Sequence, residues 1–322
     1  MLFRTSSAAL LAALFSCVVA APASAASDAA RTINETRPLD AEGRVSVRNI
    51  AGCIDVQAWD QPTVAITGVL GESAEALVIT GGSRDLQIEV KNRKGDLRVH
   101  NGITYSGGCA DASDGAVSLN GTLSTDAGTQ QVAIEGNARD GQVDASQGKG
   151  WLHAFWHADG TLLHIRVPMQ ASVSLDGTSA DIHARGLKGP LVVHSVSGDV
   201  AVAVSSPSAE VESVSGDLDI DAPLAKSLKL STVSGDTVVH SGIGALKAES
   251  VSGNVQVVGS LYGAINAQSV SGDIEISAAT VPQAVVKIET MSGDVRFVAP
   301  ANLDAEVSLE SFSGDVASAF AG

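Results

Sequence analysis

Ser195-Val196-Ser197-Gly198-Asp199-Val200 is the stretch that decides the fold, because its centre is said six more times along the chain. Ser-Gly-Asp or Ser-Gly-Asn returns at Gly216, Gly235, Gly253, Gly272, Gly293 and Gly314, at intervals of 18, 19, 18, 19, 21 and 21 residues. A near-constant period of this size marks a solenoid, in which each repeat is one rung that touches mainly its neighbours. Counting from each Gly, positions −7, −5, −2, +2 and +4 are mostly apolar. Leu191, Val193, Val196, Val200 and Val202 surround Gly198, and Ile265, Ala267, Val270, Ile274 and Ile276 surround Gly272. Period-two alternation predicts half-buried strands on both sides of the glycine. The parity slips between −5 and −2, which predicts a bend there and puts the residue at −2 on the same face as the glycine. Each rung therefore reads as strand, corner, strand and turn. Pro207, Pro223, Pro282 and Pro300 fall in the turn, where a missing N–H does no harm.

Two degenerate copies extend the pattern. Val173, Leu175, Asp181 and Ile182 hold the register about Ala180, and Val45, Val47, Ile50, Ile54 and Val56 surround Gly52. The expected architecture is all-β: a parallel β-helix over 171–322 with rungs of about 18–21 residues. A β-rich region at 26–170 precedes it as opening coils or a cap. That region carries strand candidates at Thr63–Val69, Asp85–Lys91, Asp96–Val99, Gln131–Glu135 and Thr161–Val167, with Gly- and Ser-rich turns at 101–129 and 136–150. Parallel rungs stack about 4.8 Å apart, so like residues form columns. Glycines 198, 216, 235, 253, 272, 293 and 314 line one corner, where φ is positive or a Cβ has no room. Ser at −1 and Asp at +1 face outward.

Residues 1–25 read as a secretory signal peptide: Arg4, an apolar run through Leu10, Leu11, Leu14, Phe15, Val18 and Val19, then Ala23-Ser24-Ala25. The apolar run is too short to span a bilayer. Phe15 fits a lipoprotein signal around Cys17 poorly, so the expected location is periplasmic or secreted. The formal charge is −16, which argues against nucleic acid and anionic lipid as partners. Outside the signal only Cys53 and Cys109 remain. Two cysteines in an exported chain predict one disulfide, which would stabilise the fold by roughly 4 kcal/mol on the chain-entropy account.

The recurring Ser-Val-Ser-Gly-Asp-Val runs, the opening unit Val45 to Asp60 and the Leu163-His164-Ile165-Arg166-Val167-Pro168 run together resemble a bacterial family of candidate adhesins with β-strand repeats, a domain of unknown function. The resemblance covers most of residues 40–318 and implies a right-handed β-helix. It brings no catalytic motif. The chain departs from the family where Cys53 replaces the acidic residue of the opening unit.

The sharpest candidate site is the column Asp199, Asp217, Asp236, Asp273, Asp294 and Asp315, interrupted by Asn254. Carboxylates 4.8 Å apart repel by about 0.9 kcal/mol in water, and something must offset that. A row of Ca²⁺ ions is one answer. Hydrogen bonds from turn N–H groups and nearby hydroxyls are the other, favoured by the lack of a Gly-Gly-x-Gly-x-Asp calcium spacing. Asp217, Asp219 and Asp221 share a strand face and would be the acid–base residues of a polysaccharide-active enzyme; a solvated outer face is the plainer reading. Lys229, Lys247 and Lys287 interleave with Glu212, Glu249, Glu289 and Glu310 as surface ion pairs. Trp151, His153, Trp156 and His157 form a patch suited to core packing, to stacking on a sugar or to anchoring a partner. No nucleophile elbow, P-loop or dinucleotide fingerprint is present, and no cofactor is expected. The sequence thus points to an exported, non-enzymatic binding or scaffold protein that presents a repetitive face to an envelope protein or glycan. Self-assembly through the solenoid ends and polysaccharide chemistry are the alternatives.

Overall fold

A computed structural model describes residues 32–71, 73–92, 115–125, 128–139, 142–144, 160–242, 244–300 and 303–321. These residues contain 22 strands and no helix. The opening strands are β1 (Thr32–Pro38), β2 (Arg44–Trp59), β3 (Thr63–Val69), β4 (Ala74–Gly81) and β5 (Asp85–Asn92). A separate antiparallel sheet comprises β6 (Gly115–Thr125), β7 (Gly128–Arg139) and β8 (Gln142–Asp144). Then come β9 (Thr161–Pro168), β10 (Ser172–Arg185), β11 (Leu191–Ser197), β12 (Val200–Ala203), β13 (Ser208–Ser215) and β14 (Leu218–Ala222). They are followed by β15 (Ser227–Ser234), β16 (Thr237–Ser241), β17 (Gly244–Ser252), β18 (Val255–Ser271) and β19 (Ile274–Ser292). The last are β20 (Val295–Pro300), β21 (Ala305–Ser313) and β22 (Val316–Ala321).

The strands form a parallel β-solenoid. The strand before each corner glycine pairs with its equivalent one rung on, and so does the strand after it. β11, β13, β15 and β17 stack in one sheet, and β12, β14 and β16 in the other. In β18 and β19 the chain runs as continuous strand from one corner to the next. The stack extends below the regular repeats. β2 lies parallel to β10 from Arg44 against Ser172 to Gln57 against Arg185. The Gly52 copy is therefore a true rung, set beside a rung that arrives more than 100 residues later. Beneath it β5 and β9 continue the two sheets, and antiparallel β4, β3 and β1 close them. That end meets the need to cover a strand edge.

The core lies between the two sheets. Val193, Val211, Leu230, Ala248, Ala267 and Ile288 fill it from one side, and Val202, Ile220, Val239, Val257, Ile276 and Phe297 from the other. β-branched side chains suit this pleated, in-register packing.

Three expectations are corrected. The stretches 101–129 and 136–150, expected as long turns, contain β6, both ends of β7, and β8. Pro282 and Pro300, expected in turns, lie inside β19 and at the end of β20. The residue at −2 does not face the core: Val196, Val214, Val233, Val251, Val270 and Met291 are 46–59% exposed. The inward position is −3, filled by Ser195, Ser213, Thr232, Ser250, Ser269 and Thr290, all buried. Alternation thus runs unbroken through −7, −5 and −3, and the bend comes after it. At several rungs the −3 hydroxyl donates to a corner glycine carbonyl, whereas those of Ser213 and Ser269 are buried without a partner among the described residues. Ser195 donates to Gly198 O (3.5 Å), Thr290 to Gly272 O (3.3 Å) and Ser311 to Gly293 O (3.0 Å).

Candidate functional site

The Ser-Gly-Asp corner is the feature the chain repeats, and its geometry explains the glycine and the aspartate. Gly216 has φ +125°, and a Cβ there would lie 2.2 Å from the carbonyl oxygen of Gly198 one rung below. Backbone stacked on backbone leaves room only for hydrogen. The serines lie in register, Ser197 against Ser215, Ser234, Ser252, Ser271, Ser292 and Ser313 in turn.

Each Asp reaches up one rung. Oδ1 of Asp199 accepts the backbone N–H of Asp217 (3.0 Å), and Oδ1 of Asp217 accepts that of Asp236 (2.8 Å). The same bond runs from Asp236 to Asn254, Asn254 to Asp273, Asp273 to Asp294 and Asp294 to Asp315. Below, Asp181 serves Asp199 in the same way (2.9 Å). Seven side-chain acceptors thus satisfy seven corner N–H groups. Charge-assisted bonds of this kind offset the repulsion between neighbouring carboxylates. Asn254 keeps the acceptor and drops the charge, so it does not interrupt the ladder. Among the described residues, no three His, Cys, Asp or Glu side chains converge as a metal site.

Outward from the ladder, the corners therefore show three parallel stripes: apolar at −2, hydroxyl at −1 and, except at Asn254, acidic at +1. The Toastrack DUF4097 family matches this chain twice, over residues 56–241 and 163–321, so that the two matches together run from β2 to β22. The chain belongs to that family. No curated relative matches it. Among solved structures, a candidate adhesin from Parabacteroides distasonis is similar at 12% identity and TM-score 0.28, covering 90% of this chain and 97% of that one. A candidate cell adhesion protein from Clostridium sporogenes is similar at 8% identity and TM-score 0.22, covering 90% of this chain and 100% of that one.

The other candidates fall into place on the Toastrack coil. Asp219 and Asp221 are exposed on β14, but their in-register neighbours are Ala201 and Val238, and Ala203 and His240. Asp217 is committed to the ladder. The three carboxylates do not converge. Lys229 pairs with Glu210 and with Glu212 (3.4 Å), Lys247 with Glu249 (2.8 Å) and Lys287 with Glu289 (2.8 Å), as expected of a surface lattice. Bonding to Lys229 holds the Glu210 carboxyl below its ordinary value. Cys53 is buried in β2, in register beside Asp181. Cys109, Trp151, His153, Trp156 and His157 lie outside the described residues, so the expected pairing and the aromatic patch rest on the sequence reading.

Sequence reasoning missed one cluster. His164 Nδ1 lies 3.2 Å from Asp55 Oδ2, and Arg185 Nη2 lies 3.6 Å from Asp55 Oδ1. Burial alone would raise the Asp55 carboxyl. The His164 hydrogen bond and the nearby charges of Arg185, His164 and His183 outweigh it, and the group titrates below its ordinary value. The knot ties the opening strand β9 through β2 to β10. Its signal is the register of β9 on β2, which no repeat spacing reveals.

Asp181 behaves in the opposite sense. Burial raises its carboxyl, more than the Asp199 N–H and His183 lower it, and the Asp199 charge adds to the rise. A group raised on folding binds its proton more tightly in the native state, so its ionised form costs stability at neutral pH. That cost fades as pH falls through the raised value toward the ordinary carboxylate range. Asp181→Asn keeps the acceptor for Asp199 and removes the charge. It is expected to raise the melting temperature at pH 7, with the gain vanishing below about pH 3. An unchanged or lower melting temperature at pH 7 rejects this account.

Proposed function

We propose that this Toastrack protein is an exported, non-enzymatic binding scaffold whose repetitive face meets a protein or glycan of the cell envelope. The observation that supports this is the unbroken register of the outward columns from Ser197 to Ser313. Catalysis concentrates a few unlike groups on one reacting atom, whereas these columns repeat one set of groups at every rung. Such a surface suits a long or repetitive partner, engaged weakly at many points. The signal at residues 1–25 supports export. In the described residues no helix is long and apolar enough to cross a membrane.

The test is interferometry of the purified protein against a panel of envelope polysaccharides and outer-surface proteins, with the incubation mixtures assayed for reducing ends and unsaturated products. Binding without product release is expected. A blank panel removes the binding reading, and product release replaces it with an enzymatic one.

A further inference from the structure

An exposed valine needs no explanation when it stands alone. Here Val196, Val214, Val233, Val251, Val270 and Met291 stand on six consecutive rungs at one position of the repeat, each about half exposed. At about 4.8 Å per rung the stripe runs some 24 Å, and Phe312, 89% exposed, carries it one rung further. β-propensity favours valine in a strand, but it does not require an apolar residue on the solvent side of every corner. Threonine has the same branched shape and stands at the equivalent place in β10 as Thr178. A continuous exposed apolar row marks an interaction surface.

We propose that this corner docks a basic amphipathic helix supplied by a partner, its apolar face on the valine stripe and its Lys or Arg flank on the aspartate column. This deepens the binding-scaffold reading and rests on it. Three observations choose the occupant. Charge is the first. The aspartates run parallel to the apolar stripe, separated from it by only Ser and Gly, in every rung but that of Asn254. Their ladder bonds engage Oδ1 alone, and the residues are exposed. The second argues against another copy of this chain, whose docking would lay two acidic rows side by side on a molecule of net charge −16. The third is spacing. A helix brings an apolar side chain round about every 5.4 Å, close to the rung repeat of about 4.8 Å. An extended strand offers one on the same face only about every 6.6 Å. A helix of roughly 16–18 residues spans the stripe.

The experiment is fluorescence anisotropy of the full purified protein with two labelled 18-residue probes of identical leucine face, one carrying lysines and the other glutamates on the polar face. Two triple variants accompany it. V214T/V233T/V251T keeps β-branched side chains, and D217N/D236N/D273N keeps the ladder acceptors, as Asn254 does naturally. Saturable, salt-sensitive binding of the lysine probe alone is expected, weakened at least tenfold in each triple variant while the melting temperature holds. Failure of the lysine probe, equal binding of the glutamate probe, or a valine triple that binds as well as the parent overturns the proposal. A blank with the lysine probe alongside positive binding in the envelope panel sinks this docking mode and leaves the broader binding reading standing.

Discussion

Gly235→Ala is expected to destabilise the array by about 2–6 kcal/mol, summing a positive-φ penalty of about 1–3 kcal/mol with a similar cost of overpacking. Gly235 has φ +123°, and an added Cβ would sit 2.2 Å from Gly216 O and 2.7 Å from Gly216 C. Neither atom can move aside as a flexible side chain can, because both belong to the neighbouring rung's backbone. The rungs must separate or the corner must change conformation, and either response breaks ladder bonds above and below. Gly82→Ala is the control, since a methyl group added there would meet nothing within 4 Å and its φ is unexceptional. It should shift stability by no more than about 0.5 kcal/mol. Urea titrations of both variants check the pair. A solenoid can lose its rungs in stages, so intrinsic fluorescence and circular dichroism should be followed together. Equal midpoints for the two variants would falsify the close-stacking account.

The second large effect is the contrast between alanine and asparagine in the acidic column. D217A/D236A/D273A removes three acceptors from three corner N–H groups. At about 1 kcal/mol for each lost bond in this exposed setting, the triple should lose about 3 kcal/mol. The asparagine triple keeps every acceptor and relieves repulsion of about 0.9 kcal/mol per neighbouring pair in water. It should stay within about 1 kcal/mol of the parent, on either side. Denaturation midpoints at low and moderate salt separate the cases. If asparagine costs as much as alanine, the carboxylate charge matters in its own right and a bound cation returns as the explanation. If alanine costs nothing, the ladder does not hold the corners.

What could be read from the chain followed from repetition. Seven copies of one corner made the glycine and aspartate columns visible, because in-register stacking turns a sequence period into a spatial one. The Gly52 and Ala180 copies were legible for the same reason, and β2 does lie on β10 in the register they imply. The misplacement of Val196 and its equivalents has a physical source. Hydrophobicity ranks valine above serine and threonine as an inward residue, yet the inward site at −3 is small and at four rungs donates to a corner carbonyl. The strand alternation, which runs on to −3 before the bend, decides which residue turns inward there. The Asp55, His164 and Arg185 knot was hidden for another reason. It joins strands brought together by the closing end of the solenoid, where no repeat fixes the alignment.

The aspartate ladder also has a direction. Every carboxylate accepts from the rung that follows it in the chain, never from the one before. A finished turn therefore offers a waiting acceptor to the next segment as it arrives, beside a strand edge already in place. Growth from the amino end meets a waiting carboxylate acceptor, whereas growth from the other end meets a waiting N–H donor. For a chain that emerges amino end first, such an arrangement sets each new rung against an edge that already carries its acceptor.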